Sequence, residues 1–328
     1  MASITTMKLL LLVTSIFTLT SGAHVPDNIR SDQIIFVLTY GRSGSSFLGN
    51  LLGLDNKTFY SYEPTNPLAR NYSAPNGSNV NLTARKNDLN FNLIGNIVNC
   101  SFENVPDYLT AMQGKCSFMI YRSRRMKDAC GKNITVCATP KIWKQICTNS
   151  TRHVIKDFHI RMNEVPDLIR SFPEEDRDRI KIVYLVRDAR GRLNSLKNKF
   201  SQKSHPMSHA KQLCNKMLND LDYYEKLAAK DPNRFTFVKY EDLISTPQFT
   251  AEMLFNKLGI PFTQMEMDFL QNHEEIQARM SRESHKLTQK STDRLEAWKR
   301  ELTDYQIKFI ERQCNPILKR LNYTLVYH

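Results

Sequence analysis

The run Gln33-Ile-Ile-Phe-Val-Leu-Thr-Tyr40, followed at once by Gly41-Arg42-Ser43-Gly44-Ser45-Ser46, constrains this chain more than any other feature. The run is too uniformly apolar for a half-exposed strand and suits one buried on both faces, as in a parallel sheet. The glycine- and serine-rich stretch has to turn. Phe47-Leu48-Gly49-Asn50-Leu51-Leu52 then places apolar residues at helical spacing, giving strand, small-residue loop, helix.

The same order recurs. Lys181-Ile-Val-Tyr-Leu-Val186 is a second buried-strand candidate, followed by Arg187-Asp188-Ala189-Arg190-Gly191 and a helix through Leu193 and Leu196. Residues 234–238 suggest a third strand. Leu213, Met217, Leu221, Tyr224 and Leu227 form a stripe at three- and four-residue spacing, so 211–230 reads as an amphipathic helix packed on the core. Thr246 with Pro247 caps the next helix, and Thr303 with Gln306 makes a capping box for the last. Strands alternating with helices imply an α/β domain with a central parallel sheet flanked by helices, P-loop-like in its first unit. The chain of 328 residues is long enough for one large domain, expected over 33–327.

The middle is different. From about 71 to 150, asparagines, glycines and cysteines mark an expected loop-rich insertion that shapes an acceptor cleft. Asn-x-Ser/Thr sequons stand at Asn56, Asn71, Asn76, Asn81, Asn99, Asn133, Asn149 and Asn322, and the cluster between 56 and 101 reads as exposed, glycan-coated loop. Lys8 precedes an apolar run from Leu9 to Leu19 and then Ser21-Gly22-Ala23, so residues 1–23 are expected to be a signal peptide or a signal anchor. Both features imply entry into the secretory pathway, with the protein expected to be luminal or secreted, or held at a membrane if the segment is retained as an anchor. Seven cysteines then suggest disulfides, with an odd one left over. Cys130 and Cys137 have the wrong spacing for half of a zinc site. A net charge of +13 biases the partners toward anions, among which nucleic acid, anionic lipid, a sulfated glycan or a nucleotide all fit, as does a solvated basic surface.

The chemistry sits in the two loops. Backbone N–H groups at the start of a helix point at whatever occupies the turn before it, and the helix dipole favours an anion there. Arg42 and the hydroxyls of Ser43, Ser45 and Ser46 add charge and donors, while Gly44 lets the backbone wrap phosphate oxygens closely. The loop is not a Walker A motif, since it has no lysine and Gly41 has no partner glycine at the required spacing. In the second loop Arg187 ends the strand and the Ser195 hydroxyl faces back from the helix, a pair able to grip a second phosphate. Taken alone, Arg187 also reads as half of a salt bridge with Asp188 or another acid.

Together these loops resemble those of the carbohydrate sulfotransferases, especially the branch acting on galactose, N-acetylglucosamine or N-acetylgalactosamine at the 6-hydroxyl. Arg42-Ser43-Gly44-Ser45-Ser46-Phe47 matches the loop that binds a 5′-phosphosulfate, and Leu185-Val186-Arg187-Asp188-Ala189-Arg190 with Ser195 matches the segment that binds a 3′-phosphate. Tyr62-Glu63-Pro64, Lys239-Tyr240-Glu241-Asp242-Leu243 and Trp298 before a helix carrying Cys314 match as well. The resemblance implies transfer of a sulfuryl group from 3′-phosphoadenosine 5′-phosphosulfate to a glycan or glycosaminoglycan, with Glu63 as the base and with no metal. It implies a place in the Golgi lumen or secretion, no nucleic-acid partner, and a membrane partner, the Golgi membrane, only through a retained anchor. Ala189 replaces the usual proline, and Thr65-Asn66 follows Pro64 where an aromatic and a histidine are common.

Two other functions remain open at this level: a nucleotide-sugar glycosyltransferase and a non-catalytic binder of anionic glycans. Asp176-Arg177-Asp178 and Asp220-Leu221-Asp222 match a metal-binding Asp-x-Asp, but one precedes its strand and the other lies within a helix, so both read as solvated faces. His153, His159, His205, His209 and His285 have no spacing partner that singles one out, and Lys156 with His159 reads first as surface or structural, with a place at the cleft as the alternative.

Overall fold

A computed structural model describes residues 33–70, 86–131, 137–199, 206–272 and 294–327. Five strands, β1 (Gln33–Thr39), β2 (Thr58–Tyr62), β3 (Arg152–Asp157), β4 (Ile180–Val186) and β5 (Phe235–Lys239), form one sheet in the order β2-β3-β1-β4-β5. Every neighbouring pair is parallel. The expected α/β architecture, a parallel sheet flanked by helices, is the observed one.

Alternation along β1 divides the core. Ile34, Phe36 and Leu38 face the helices Ala189–Lys199, Ala210–Lys230 and Asp304–Arg320, whereas Ile35 and Val37 face Ser45–Leu52 and Pro247–Leu258. Period-two alternation sends successive side chains to opposite faces, and both faces are covered. Thr303 caps the last helix with the expected reciprocal box, whereas the Thr246 hydroxyl donates to Asp242 and leaves Pro247 to start its helix.

The middle segment departs from its expected character. Thr58–Tyr62, inside the stretch expected as exposed loop, is the buried edge strand β2. Its aromatic and hydroxyl side chains suit a pleated surface, and sequon residue Asn56 sits on the exposed turn just before it. Described residues between 86 and 148 are largely helical and build a third cluster in which Phe102 and Trp143 pack on Phe59 of β2 and Tyr108 packs on Trp143. Asparagine-rich helix Lys86–Val98 holds because Phe91, Leu93, Ile94, Ile97 and Val98 are buried, so tertiary packing overrides propensity. Disulfides join Cys100 to Cys147, Cys130 to Cys137, and Cys214 to Cys314. Cys116 is the cysteine outside these bonds, and it is buried. Among the described residues no helix is long and apolar enough to cross a membrane. The 1–23 segment, Asn71, Asn76, Asn81, Asn133, His205 and His285 lie outside the described residues.

His153, in β3, is buried beside Phe59, and its Nδ1 has no hydrogen-bond partner among the described residues. Burial pushes the imidazole down to about 4. The unfolded chain takes up this proton near pH 6.5 and the folded chain only near pH 4, so the unfolded state binds more protons between those values. The contribution of neutral His153 is therefore complete above pH 6.5 and is lost as pH falls toward 4. Urea unfolding of wild type should lose about 3 kcal/mol more between pH 7 and pH 4 than unfolding of His153→Phe. Parallel pH profiles would reject this.

Candidate active site

Because β1 and β4 are neighbours with Thr39 opposite Leu185, the loops after them emerge side by side. The chain leaves β1 toward β2 on one side and leaves β4 toward β5 on the other. A crevice opens at the carboxyl ends of two strands whose connections diverge this way, and α/β sheets bind ligands there. Arg187 Nη1 donates to the Arg42 carbonyl at 3.1 Å, and Arg42 Nε donates to Ser195 Oγ at 3.0 Å. The expected Arg187–Ser195 pair is thus bridged by Arg42. Asp188 is not the partner of Arg187: it is buried and held in a forked contact by Arg190. Among the described residues neither Arg42 nor Arg187 has a carboxylate partner.

Local backbone shapes this crevice. Gly44 caps the helix Ser45–Leu52 at φ 82°, a conformation that disfavours a side chain. The Tyr240 ring lies so close that a Cβ on Gly44 would come within 2.2 Å of it, and Arg187 stacks on the same ring at 4.3 Å. Ser43 and Ser45 are buried in the turn, Arg42 is exposed, and Phe47 stacks on Phe269. Arg42 itself is left-handed at φ 72°, which is uncommon for a residue with a side chain.

A second group lies at the ends of β2 and β3. Glu63 is buried at φ 49°, ion-paired with Lys156, and accepts from Asn66 Nδ2 at 3.0 Å. Burial pulls the Lys156 ammonium below the usual lysine range, against the opposing pull of Glu63. The same ammonium lies over the rings of Tyr62 and Phe158, at 4.7 and 5.2 Å. Asp157 fastens the group by accepting from Thr65 Oγ1 at 2.7 Å and from the His159 amide at 2.7 Å. Ser46 connects the two halves through a 3.3 Å hydrogen bond with the Tyr62 hydroxyl. Burial raises that phenol above its ordinary value.

A cavity of about 640 Å³ opens beside the first loop, between the end of β3 and the helices Ala189–Lys199 and Ala210–Lys230. Gly41 and Tyr40 belong to its wall, as do Phe158, Arg161 and Arg192. Arg42, Ser195, Arg187 and Glu63 do not line it, and neither do the described residues of the 71–150 segment. Its wall comes from the ends of β1 and β3 and from helices that pack on the sheet. Asp220, expected on a solvated face, is buried at its edge and accepts from Tyr40 Oη at 2.9 Å and from the Arg161 guanidinium.

The family profile described as "Sulfotransferase domain" matches residues 32–322, spanning both loops and the Glu63 group. The chain belongs to the sulfotransferase family. Among curated relatives, carbohydrate sulfotransferase 3 of Tetronarce californica is 23% identical over 93% of this chain and 76% of its own length. Carbohydrate sulfotransferase 1 of Homo sapiens is 22% identical over 91% of this chain and 81% of its own. Among solved structures, the sulfotransferase domain of the Synechococcus PCC 7002 olefin synthase aligns with a TM-score of 0.48 at 15% identity, covering 93% of this chain and 99% of that one.

In this sulfotransferase the two basic loops meet, and the carboxylate candidate stands with Lys156 at the other side of β1. Sequence spacing gave no signal for Asn66 or Asp157 as supports of Glu63, nor for Arg192 on the cavity wall. Tyr240 lay within a matched motif without a role. The Gly44–Tyr240 contact makes a double-variant test possible. Gly44→Ala should destabilise the fold by about 1–3 kcal/mol through left-handed strain and the ring clash. In a Tyr240→Ala background only the strain of about 1–2 kcal/mol should remain. Equal costs in the two backgrounds, read by urea unfolding, would show that the ring does not press on this turn.

Proposed function

We propose that this sulfotransferase moves a sulfuryl group from 3′-phosphoadenosine 5′-phosphosulfate to the 6-hydroxyl of a sugar in a glycan, within the lumen of the secretory pathway. The observation that carries the reading is the meeting of Arg42 and Arg187, from separate loops, in one crevice with no carboxylate among the described residues to neutralise either. Two guanidinium groups so placed suit two phosphate groups of one nucleotide. Arg42, the amides of Ser43 to Ser46 and the Ser46 hydroxyl would hold the 5′-phosphosulfate, with Phe47 and Tyr240 as apolar walls. Arg187 would hold the 3′-phosphate, with Ser195 fixed to Arg42. The names of the curated relatives support a carbohydrate acceptor. Three disulfides and the exposed sequon residues Asn56, Asn99, Asn149 and Asn322 support a luminal location.

The donor supplies the sulfuryl group and leaves as the 3′,5′-bisphosphate. As the sugar oxygen bonds to sulfur and the bond from sulfur to the phosphate oxygen breaks, charge grows on that oxygen, where Arg42 and the helix amides stand ready. Glu63 takes the hydroxyl proton. Asn66 orients one carboxylate oxygen and Lys156 the other, which holds the base in place before the acceptor arrives. The cavity beside Gly41 would hold the body of the acceptor; Glu63 lies outside its wall, so the reacting hydroxyl would extend past Phe158, whose ring lies 5.2 Å from the Lys156 ammonium paired with Glu63. Against a glycosyltransferase, the aspartates of both Asp-x-Asp pairs are engaged by arginines: Asp176 by Arg179, Asp178 by Arg234, Asp220 by Arg161 and Asp222 by Arg320.

Two substitutions test the assignment. Arg187→Ala should weaken binding of adenosine 3′,5′-bisphosphate by about tenfold or more, the worth of a charge-assisted contact, and hardly change binding of adenosine 5′-monophosphate. Equal losses in calorimetry would show that Arg187 does not read the 3′-phosphate. Glu63→Gln keeps shape and removes the base, so turnover should fall by about 10²–10⁴ while bisphosphate affinity holds. Near-normal turnover would move the role to His159, which lines the cavity.

A further inference from the structure

Tyr62 has no part in the reaction described above, yet its hydroxyl stands between the residue that would hold the donor and the residue that would take the acceptor's proton. Alternation along β2 puts Tyr60 and Tyr62 on the face covered by the helix Ser45–Leu52. Tyr60 meets that helix at Gly49, where a Cβ would come within 2.1 Å of the phenol oxygen. The Tyr60 hydroxyl is shut in there, with no hydrogen-bond partner among the described residues. Tyr62, two residues further along the strand, meets the helix one turn nearer its start. Its half-buried hydroxyl shares a 3.3 Å hydrogen bond with Ser46 Oγ, and the chain runs directly on into Glu63.

Three charged groups act on this phenol. In the register of β2 with β3, Tyr62 lies opposite Lys156, whose ammonium is 4.7 Å from the ring centre and ion-paired with Glu63. Arg122 brings an exposed guanidinium to 5.7 Å from the same centre and has no carboxylate partner among the described residues. Burial raises the phenol above its ordinary value, and the charge of Glu63 raises it further. The hydroxyl therefore keeps its proton at neutral pH and serves as a hydrogen-bond donor, not as a base. Cations over the ring draw on its electrons and strengthen that donor.

We propose that Tyr62 is a catalytic residue whose hydroxyl donates to an outer oxygen of the sulfuryl group. This rests on the donor lying in the Ser43–Ser46 turn and on Glu63 as the base, as proposed above. A group that passes from the Ser46 turn to an oxygen beside Glu63 passes the Tyr62 hydroxyl. With donor bound, the Ser46 proton turns to the phosphosulfate and the Tyr62 proton to the sulfuryl oxygen nearest it. The sugar oxygen then bonds to sulfur, and the bond from sulfur to the phosphate oxygen breaks, leaving its electron pair on the bisphosphate. The acceptor's proton goes to Glu63, and Tyr62 keeps its own throughout. Its contribution is to aim the sulfuryl group in line with the attacking oxygen and to stabilise charge on the oxygen it touches.

Calorimetry on the full-length protein would compare 3′-phosphoadenosine 5′-phosphosulfate with adenosine 3′,5′-bisphosphate, which differs only in lacking the sulfuryl group. Tyr62→Phe should weaken the phosphosulfate by about tenfold and hold the bisphosphate within about twofold. Tyr60→Phe, which removes the shut-in hydroxyl of the neighbouring ring, should change neither. At saturating donor, transfer of labelled sulfate to a panel of galactose-, N-acetylglucosamine- and chondroitin-type oligosaccharides should fall by about tenfold or more in Tyr62→Phe. Equal weakening of both nucleotides would show that Tyr62 acts only through Ser46 and overturns the inference. So does unchanged affinity for both, and so does undiminished transfer at saturating donor. Wild type that binds neither nucleotide more tightly than adenosine 5′-monophosphate removes the donor reading and the inference together. Wild type that binds both tightly, with no selective loss in Tyr62→Phe, removes the inference alone.

Discussion

Parallel pairing makes each strand of this sheet end at the same edge as its neighbour, so the loops after β1, β2, β3 and β4 crowd together with no choice of side. β1 lies between β3 and β4 and is buried on both faces, which places its loop at the centre of that edge. Arg42 meets Arg187 from β4 on one side, while Glu63 and Lys156 come together from β2 and β3 on the other. A single strand inserted in the antiparallel sense would carry its loop to the opposite end and leave half of the site without a partner.

Buried polar contacts then hold the loops in register. Asp157 is fully buried and accepts from the loops after both β2 and β3, a contact that pins Glu63 near Lys156. On the other side Arg190 is buried between Asp188 and Glu311, donates to the Thr324 carbonyl and lies over Trp298. Glu311 also accepts from the amides of Val326 and Tyr327, so the end of the described chain closes over the base of the Arg187 loop. Buried charges are costly unless paired and hydrogen-bonded, and truncating one partner of such a set costs about 3–5 kcal/mol. With Asp188 committed to Arg190, Arg187 is left to face the crevice.

How much of this was legible depended on whether the signal was local. β1, β4 and β5 announced themselves as apolar runs, and the helix Ala210–Lys230 through its stripe, because burial on a regular element leaves a periodic trace. β2 left a weaker one: Thr58–Tyr62 follows a sequon and is short, so its aromatic residues read as loop until β3 and the third cluster are seen to cover it. The helices between 86 and 148 were hidden in the same way, since their asparagines argue for turns and only tertiary contacts stabilise them, with Phe59, with each other and, for Lys86–Val98, with the core face of β1. Asp220 was read as solvated from its charged neighbours along the helix, yet Tyr40 and Arg161 arrive from distant elements to bury it.

The sequence by itself determined the two strand-loop-helix units, the residues that make their loops attract anions, and the family through Arg42 to Phe47 and Arg187 to Ser195. These are properties of short segments, set by side-chain type and spacing along one strand or one turn. Only the tertiary structure decided that Arg42 would bridge Arg187 to Ser195, that Lys156 and Asn66 would hold Glu63, and that the cavity would lie against Arg192. Each of those contacts joins residues brought together by strand order and helix packing, and the energy of a cross-sheet contact leaves no periodic mark in either of the segments that make it.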